Sequence, residues 1–310
     1  LPEYFLKRKG AVISTAINKY VYHSISYHPA EINDSAIKIA YSKIENVNHL
    51  DEIKHAPFRE IIREMGLKKD IEIHVVSDLP SYSGLGSSSS FTVGLIKILT
   101  EYKNNKISAI ELAKKAVYIE RNLLNEAVGL QDQTIASFGG ICLIEFNKNE
   151  EIKVTPVNLS ELVKDELSNS LMLFYTGIKR KAEELEKKKI ENLNSITQNL
   201  DNILKNTYQA AEMLNSNFSL SKFGELLNTT WQQKKLLANE VSNNVIDGMY
   251  DVAINSGAVG GKLLGAGGGG FLLLVVPDEK KNYIRKSLKD FYEIEFSINA
   301  PGSTIIASNN

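Results

Sequence analysis

Cysteine is almost absent: Cys142 is the single one in 310 residues. No internal disulfide can form, so the fold must rest on an apolar core, and the chain suits a reducing, cytoplasmic compartment. An excess of charge of one sign is also lacking. Lys and Arg number 36 against 37 Asp and Glu, a formal net charge of −1. That balance supplies no overall field for nucleic acid or an anionic membrane surface. Long apolar runs are missing too. The longest, Phe271 to Val276, is far too short to span a bilayer, and no signal peptide is recognisable. The histidines, His23, His28, His49, His55 and His74, have no paired metal-ligand spacing and read as structural or surface residues. What remains is an ordinary globular composition, 43% hydrophobic and 24% charged, with length for two domains or one large one.

The chain turns on Pro80-Ser81-Tyr82-Ser83-Gly84-Leu85-Gly86-Ser87-Ser88-Ser89-Ser90. Before it, Asp70 to Ser77 alternates polar and apolar, the pattern of a strand. After it, Phe91 to Tyr102 carries Val93, Leu95, Ile96, Ile98 and Leu99 on a helical stripe. A strand, a glycine–serine loop and a helix leave free backbone N–H groups and a positive dipole end at one spot, which suits a phosphate. A Walker A loop would need Lys after its last Gly, where Ser87 stands. A dinucleotide fingerprint would need Gly where Ser89 stands. The plainer reading is a serine-rich N-cap after a turn.

Around this centre, Val12–Tyr27 reads as one or two strands, Ala36–Tyr41 as a strand and Pro57–Met65 as a helix ending at Gly66. Ser108 and Glu111 form a capping-box start for a helix with an apolar face of Leu112, Ala113, Ala116 and Val117. Glu120 falls on that same face. A carboxylate there needs an ion-pair partner, such as Arg121 or a distant Lys, or a metal. Asp132, in Gly129-Leu130-Gln131-Asp132-Gln133, reads either as a helix N-cap or as a site residue. Ile141–Phe146 and Ile152–Val157 read as a hairpin, and the polar stretch 160–170 as a domain boundary. Leu171–Tyr175 is a buried strand ending at Thr176-Gly177, and the charge-dense Lys179–Glu191 reads as a solvated helix face. Helices follow to about Ala238 and over Val245–Ser256. Gly265 to Gly270 then matches G-x-G-x-x-G, but the strand Phe271–Val276 follows it instead of a helix, the wrong context for a dinucleotide fold. Such a run favours backbone passing close to a ligand or another segment. A helix over Pro277–Phe291 and strands at Glu293–Ile298 and Thr304–Ala307 close the chain.

Three separated features line up. Pro80…Gly84-Leu85-Gly86-Ser87-Ser88-Ser89 resembles the phosphate loop of the GHMP kinases, and Lys262-Leu263-Leu264-Gly265-Ala266-Gly267-Gly268-Gly269-Gly270-Phe271 resembles their C-terminal glycine motif. Glu120 and Asp132 stand between, in the order of that family's metal ligand and catalytic acidic residue. The resemblance implies an α+β, two-domain GHMP kinase fold with the active-site cleft between the domains, divided at 1–165 and 166–310. It implies ATP held by Pro80, Gly84, Leu85, Gly86, Ser87, Ser88 and Ser89, Mg²⁺ on Ser88 and Glu120, and Asp132 at the acceptor hydroxyl. Leu1-Pro2-Glu3-Tyr4-Phe5, Gly129–Gln133 and Tyr175-Thr176-Gly177 resemble the branch that phosphorylates D-glycero-D-manno-heptose 7-phosphate. That branch implies transfer to the anomeric 1-hydroxyl, giving a 1,7-bisphosphate that feeds activated heptose for surface polysaccharide. Thr176, Gly177, Lys179, Arg180, Gly267 and Gly268 are the expected acceptor contacts, with Lys179 and Arg180 at its phosphate. The expected partner is this small sugar phosphate, with no nucleic acid and no membrane, and the chain is expected as a monomer or homodimer. The rivals are a kinase of this fold for another sugar or small alcohol, and a non-catalytic sugar or nucleotide sensor. The chain opens at Leu1 and not Met, so the family's first motif, a basic residue on a strand and a glycine-rich turn, is expected upstream.

Overall fold

Periodic apolar residues resolve into strands and helices in the computed structural model, which describes residues 2–80, 84–179 and 182–308. In chain order, the elements begin with α1 (Pro2–Phe5), β1 (Gly10–Thr15), β2 (Val21–Tyr27), β3 (Ile37–Ala40), β4 (Ile44–Val47), α2 (Ala56–Glu64) and β5 (Ile71–Ser77). Next come α3 (Ser87–Tyr102), α4 (Ala109–Tyr118), α5 (Gln131–Phe138), β6 (Ile141–Phe146), β7 (Ile152–Pro156), α6 (Glu161–Ser170) and β8 (Leu171–Tyr175). The chain continues through α7 (Ala182–Glu191), α8 (Leu193–Asn215), α9 (Leu220–Lys235), α10 (Asn244–Asn255), β9 (Gly260–Leu263), β10 (Phe271–Val275), α11 (Lys281–Ser287) and β11 (Tyr292–Ile294).

The chain divides into two units. One comprises Lys19–Ser81, Gly86–Gly139 and Pro301–Asn310. Its sheet has the order β2-β5-β3-β4, with β3 and β5 parallel and the other pairs antiparallel. Ile37, Ile39, Ile71 and Ile73 alternate onto one face, as period two requires, and meet Phe58, Ile61 and Ile62 of α2 and Leu95, Ile96 and Leu99 of α3 in a single core. The start of α2 is fixed by Pro57 in its first turn and by His55, whose ring accepts from Phe58 N. Ser108 and Glu111 cap α4 reciprocally, as the sequence indicates.

The other unit comprises Leu1–Asn18, Tyr82–Leu85 and Gly140–Ala300. It holds an antiparallel sheet β1-β6-β7 and a second antiparallel sheet β11-β8-β10-β9. Met172, Phe174, Leu263, Leu272 and Leu274 from the second sheet pack with Trp231, Ile246, Met249 and Ile284 of the helices. The apolar run Phe271–Val276 therefore reads correctly as a central strand, buried on both faces.

Val12–Tyr27 is two strands, within the one or two expected, and they lie in different sheets. Other expectations are corrected, and β4 carries no signal that the sequence reading used. The polar stretch 160–170 is helix α6, because Ser160 caps it by accepting from Val163 N, although only Leu167 and Ser170 are buried. The boundary drawn at residue 165 falls inside that helix. Pro277–Phe291 shortens to a single turn at Asp278–Lys280 and then α11. Strand structure ends at Ile294. Thr304–Ala307 is not a strand, since the tail is held instead by a bridge between Gly139 and Pro301 and by Ser303 N donating to Ala136 O. No helix among the described residues is long and apolar enough to cross a membrane.

Candidate active site

The glycine–serine loop is shared between the units, with Gly84 and Leu85 in one and Gly86 to Ser90 in the other. Pro80 is exposed, and residues 81–83 lie outside the described residues. Gly86 has φ +70°, a left-handed conformation, and is the N-cap of α3. The first-turn N–H groups of α3, at Ser87, Ser88 and Ser89, have no intrahelical acceptor and share the positive dipole end. Such a terminus is built for an anion.

Asp132 sits against this helix end. A Cβ on Gly86 would stand 3.2 Å from Asp132 Cβ and 3.3 Å from its carboxyl carbon. Glycine is favoured by its φ, and a side chain there would crowd the carboxylate beside it. Leu130 stands at the cap of α5 and Asp132 in the first turn, so the N-cap reading of Asp132 fails. Its Oδ1 accepts from Gln131 Nε2 at 2.9 Å.

Glu120 lies in a π-helical turn, Ile119–Leu123, that continues α4. Such a turn is common at functional sites, and Glu120 is buried on the apolar face where its helical spacing puts it. It is 1% exposed. Ser89 Oγ donates to its Oε2 at 3.1 Å, and Gln133 Nε2 donates to the same oxygen. Its Oε1 is buried with no partner among the described residues. The expected ion pair with Arg121 or a lysine is thus replaced by neutral donors. Burial pushes the Glu120 pKa up to about 7, Glu126 adds to the rise, and the hydrogen bonds from Thr92, Gln133 and Ser89 oppose it. Ser88 is exposed, and Ser89 is the serine that touches Glu120.

In the other unit the two glycine motifs meet directly. A Cβ on Gly265, at φ +64°, would stand 2.8 Å from Gly84 Cα and 2.9 Å from Gly84 O. The backbones pack with no room for a side chain, which is the close approach that the glycine run implies. Thr176 is buried, with N and Oγ1 each donating to Gly270 O at 2.9 Å. Gly268 N donates to Val241 O and Gly270 N to Ile178 O, each at 2.9 Å. Gly267, at φ +117°, leaves no room beside Val241. Gly177, also left-handed, and Lys179 are exposed, and Arg180 lies outside the described residues.

The sequence reading missed lysines around this turn. Lys189, assigned to a solvated face, is 4% exposed, and its Nζ donates to Ala266 O and Glu186 Oε1, each at 2.7 Å. Lys234 Nζ donates to Leu263 O at 2.9 Å and Gly265 O at 2.6 Å, beside the Trp231 ring. Burial drives the Lys234 ammonium well below the usual lysine pKa, helped by Lys262 and Lys189 and opposed by Glu186. Lys262 was visible as the head of the glycine motif. Gln133 was visible in the Gly129–Gln133 segment but had no role there.

A Mg²⁺ ion fits the chemistry of the Glu120 region. The orphaned Oε1 is a hard oxygen donor lacking a partner, and hydroxyls of Ser88 and Ser89 lie on the adjacent turn. Among the described residues no three His, Cys, Asp or Glu side chains gather to form a metal cage.

Comparison with known proteins locates a match to the GHMP kinases N terminal domain over residues 53–140 and to the GHMP kinases C terminal model over residues 209–294. A D-glycero-alpha-D-manno-heptose 7-phosphate kinase from Campylobacter jejuni is 31% identical over 315 residues, covering 96% of this chain and 91% of its own. A mevalonate kinase from Methanocaldococcus jannaschii is 30% identical over 223 residues, 71% of this chain and 66% of its own. Among solved structures, a D-glycero-D-manno-heptose 1-phosphate kinase from Bacteroides thetaiotaomicron superposes with TM-score 0.78 at 24% identity, covering 97% of this chain and 92% of that one. A phosphomevalonate kinase from Streptococcus pneumoniae, in complex with phosphomevalonate and AMPPNP, gives TM-score 0.77 at 13% identity, covering 96% and 95%.

Proposed function

Since this chain belongs to the GHMP kinases, ATP-dependent phosphotransferases acting on hydroxyl groups, we propose that its acceptor is D-glycero-D-manno-heptose 7-phosphate and its product the 1,7-bisphosphate. The observation that carries the site is Asp132 seated on Gly86, the N-cap of α3. One carboxylate and one anion-binding helix end share a single place, which is where a hydroxyl and a transferring phosphoryl group must meet.

The N–H groups of Ser87, Ser88 and Ser89 and the α3 dipole would hold the ATP phosphates. Asp132 would orient the acceptor 1-hydroxyl and take its proton as the oxygen bonds to the γ-phosphorus and the bond to ADP breaks. Phosphoryl transfer depends on position and charge stabilisation more than on a strong base, so orientation is the larger part of that role. Mg²⁺ on Glu120 and Ser88, when bound, would neutralise phosphate charge. Gly265 against Gly84 would set the loop backbone, while Thr176, Gly177, Lys179, Gly267 and Gly268 would border the sugar, with Arg180 beside them in sequence. The acceptor is supported by the 31% identity over nearly the whole chain; the 24% structural likeness speaks only for the fold.

ADP release with Mg-ATP is the test, measured against heptose 7-phosphate, heptose 1-phosphate, mannose 6-phosphate, galactose and mevalonate. Turnover with heptose 7-phosphate far above the others is expected. Preference for another acceptor discards this substrate and keeps the kinase.

A further inference from the structure

Lysines converge on the turn that carries the C-terminal glycines, and the carbonyls there do not use them all. Lys189 Nζ grips Ala266 O and pairs with Glu186. Lys234 Nζ grips Leu263 O and Gly265 O. Lys262 lies on β9 opposite Leu273 of β10. Its neighbour Leu263 enters the helix-covered core, so Lys262, by strand alternation, is directed to the other face of the sheet. Its ammonium, half-buried, has no hydrogen bond or ion pair among the described residues. Lys262 and Lys189 are near enough to Lys234 to lower its pKa, and Glu186 is the carboxylate that opposes them.

Burial holds the Lys262 pKa below the usual lysine range, and a bound anion would favour its charged form. Lys189 and Lys234 spend donors on carbonyls, whereas Lys262 keeps its N–H donors for a ligand. A compact dianion with several acceptor oxygens matches that arrangement, and a charge-assisted pair to it is short and strong. The anchored turn is the one packed on Gly84 of the phosphate loop.

We propose that Lys262, backed by Lys234 and Lys189, binds a phosphate monoester dianion, and that this is the phosphate the acceptor already carries. The assignment rests on the proposed sugar phosphate acceptor. It goes beyond it by placing phosphate recognition on β9, away from the exposed Lys179.

The test compares wild type, Lys262→Met and Lys262→Arg. Inorganic phosphate is titrated by NMR, and KM values for heptose 7-phosphate and ATP are measured separately. Loss of one charged hydrogen-bonding partner is expected to weaken phosphate binding and raise the acceptor KM about tenfold to a hundredfold in Lys262→Met. ATP KM should stay unchanged, and Lys262→Arg should recover most of the loss. Melting temperature should not fall in Lys262→Met, because no native partner is lost. A structural role would lower it and leave the KM values in proportion. A rise confined to ATP KM would assign the site to an ATP phosphate and overturn the acceptor assignment. Unchanged phosphate binding and unchanged KM values would overturn the site itself. If wild type fails to turn over heptose 7-phosphate, the proposed substrate falls, and the inorganic phosphate titration still decides the site.

Discussion

Glu120→Gln gives a test in which stability and function move in opposite directions. The unfolded carboxyl ionises near its usual 4.5, whereas the buried one in the native protein ionises at about 7. Between those pH values the native state holds a proton that the unfolded state has lost. Stability therefore falls as pH rises from about 4.5 to about 7 and stays lower above that. The difference amounts to about 3 kcal/mol at full effect, at roughly 1.4 kcal/mol per pH unit. Glutamine keeps the shape and retains an oxygen for Ser89 Oγ and Gln133 Nε2, and its new amide group faces a neighbourhood where Gln133 Oε1 lacks a partner. In metal-free buffer with EDTA, the variant should match wild type near pH 5 and melt higher by on the order of 5 °C at pH 8. Adding Mg²⁺ should raise the wild-type melting temperature at pH 8 and leave the variant unmoved, while turnover is lost. Thermal unfolding followed by circular dichroism at the two pH values reads all of this. A variant less stable than wild type at pH 8, or one that Mg²⁺ stabilises equally, would refute the argument from desolvation and the metal role alike.

Asp132→Asn should reduce turnover by about a hundredfold to ten-thousandfold, the range for a general base, with ATP affinity retained in a calorimetric titration. Unchanged turnover would remove Asp132 from the reaction. Gly265→Ala places a methyl 2.8 Å from Gly84 Cα at φ +64°, so it should raise ATP KM and lower stability by about 1–3 kcal/mol. An unaltered melting curve and KM would show that the turn accommodates a side chain. Ser89→Ala removes a donor from Glu120 Oε2 and should push that carboxyl further up, moving the metal-free stability loss to higher pH. Ser88→Ala should instead leave that pH dependence in place and weaken Mg²⁺ dependence in the kinetic assay.

Much of the architecture was legible because local patterns and tertiary packing agree. The alternation in 71–77, the capping box at Ser108, the buried run at 271–275 and the glycine loop before α3 all became the elements their patterns indicate. Elements with weak local signals were misjudged. Helix α6 is polar over most of its length, β4 is short and exposed, and the tail after Ile294 takes its backbone partners from Ala136 and Gly139. The candidate residues were found as types and as an order along the chain, which is all that a motif contains.

The sequence alone determined the residue types of the chemistry: a glycine loop with its serines, two acids and a second glycine run. Local composition favours those features, since glycine reaches φ +64° or +70° most readily and a helix start exposes its N–H groups. Tertiary structure decided which of them touch. It brought Gly265 onto Gly84 and Gly86 onto Asp132, selected Ser89 over Ser88 for Glu120, and drew Lys189, Lys234 and Lys262 to one turn. Such pairings join residues far apart in the chain. Their geometry depends on packing between distant segments, which no spacing in the sequence encodes.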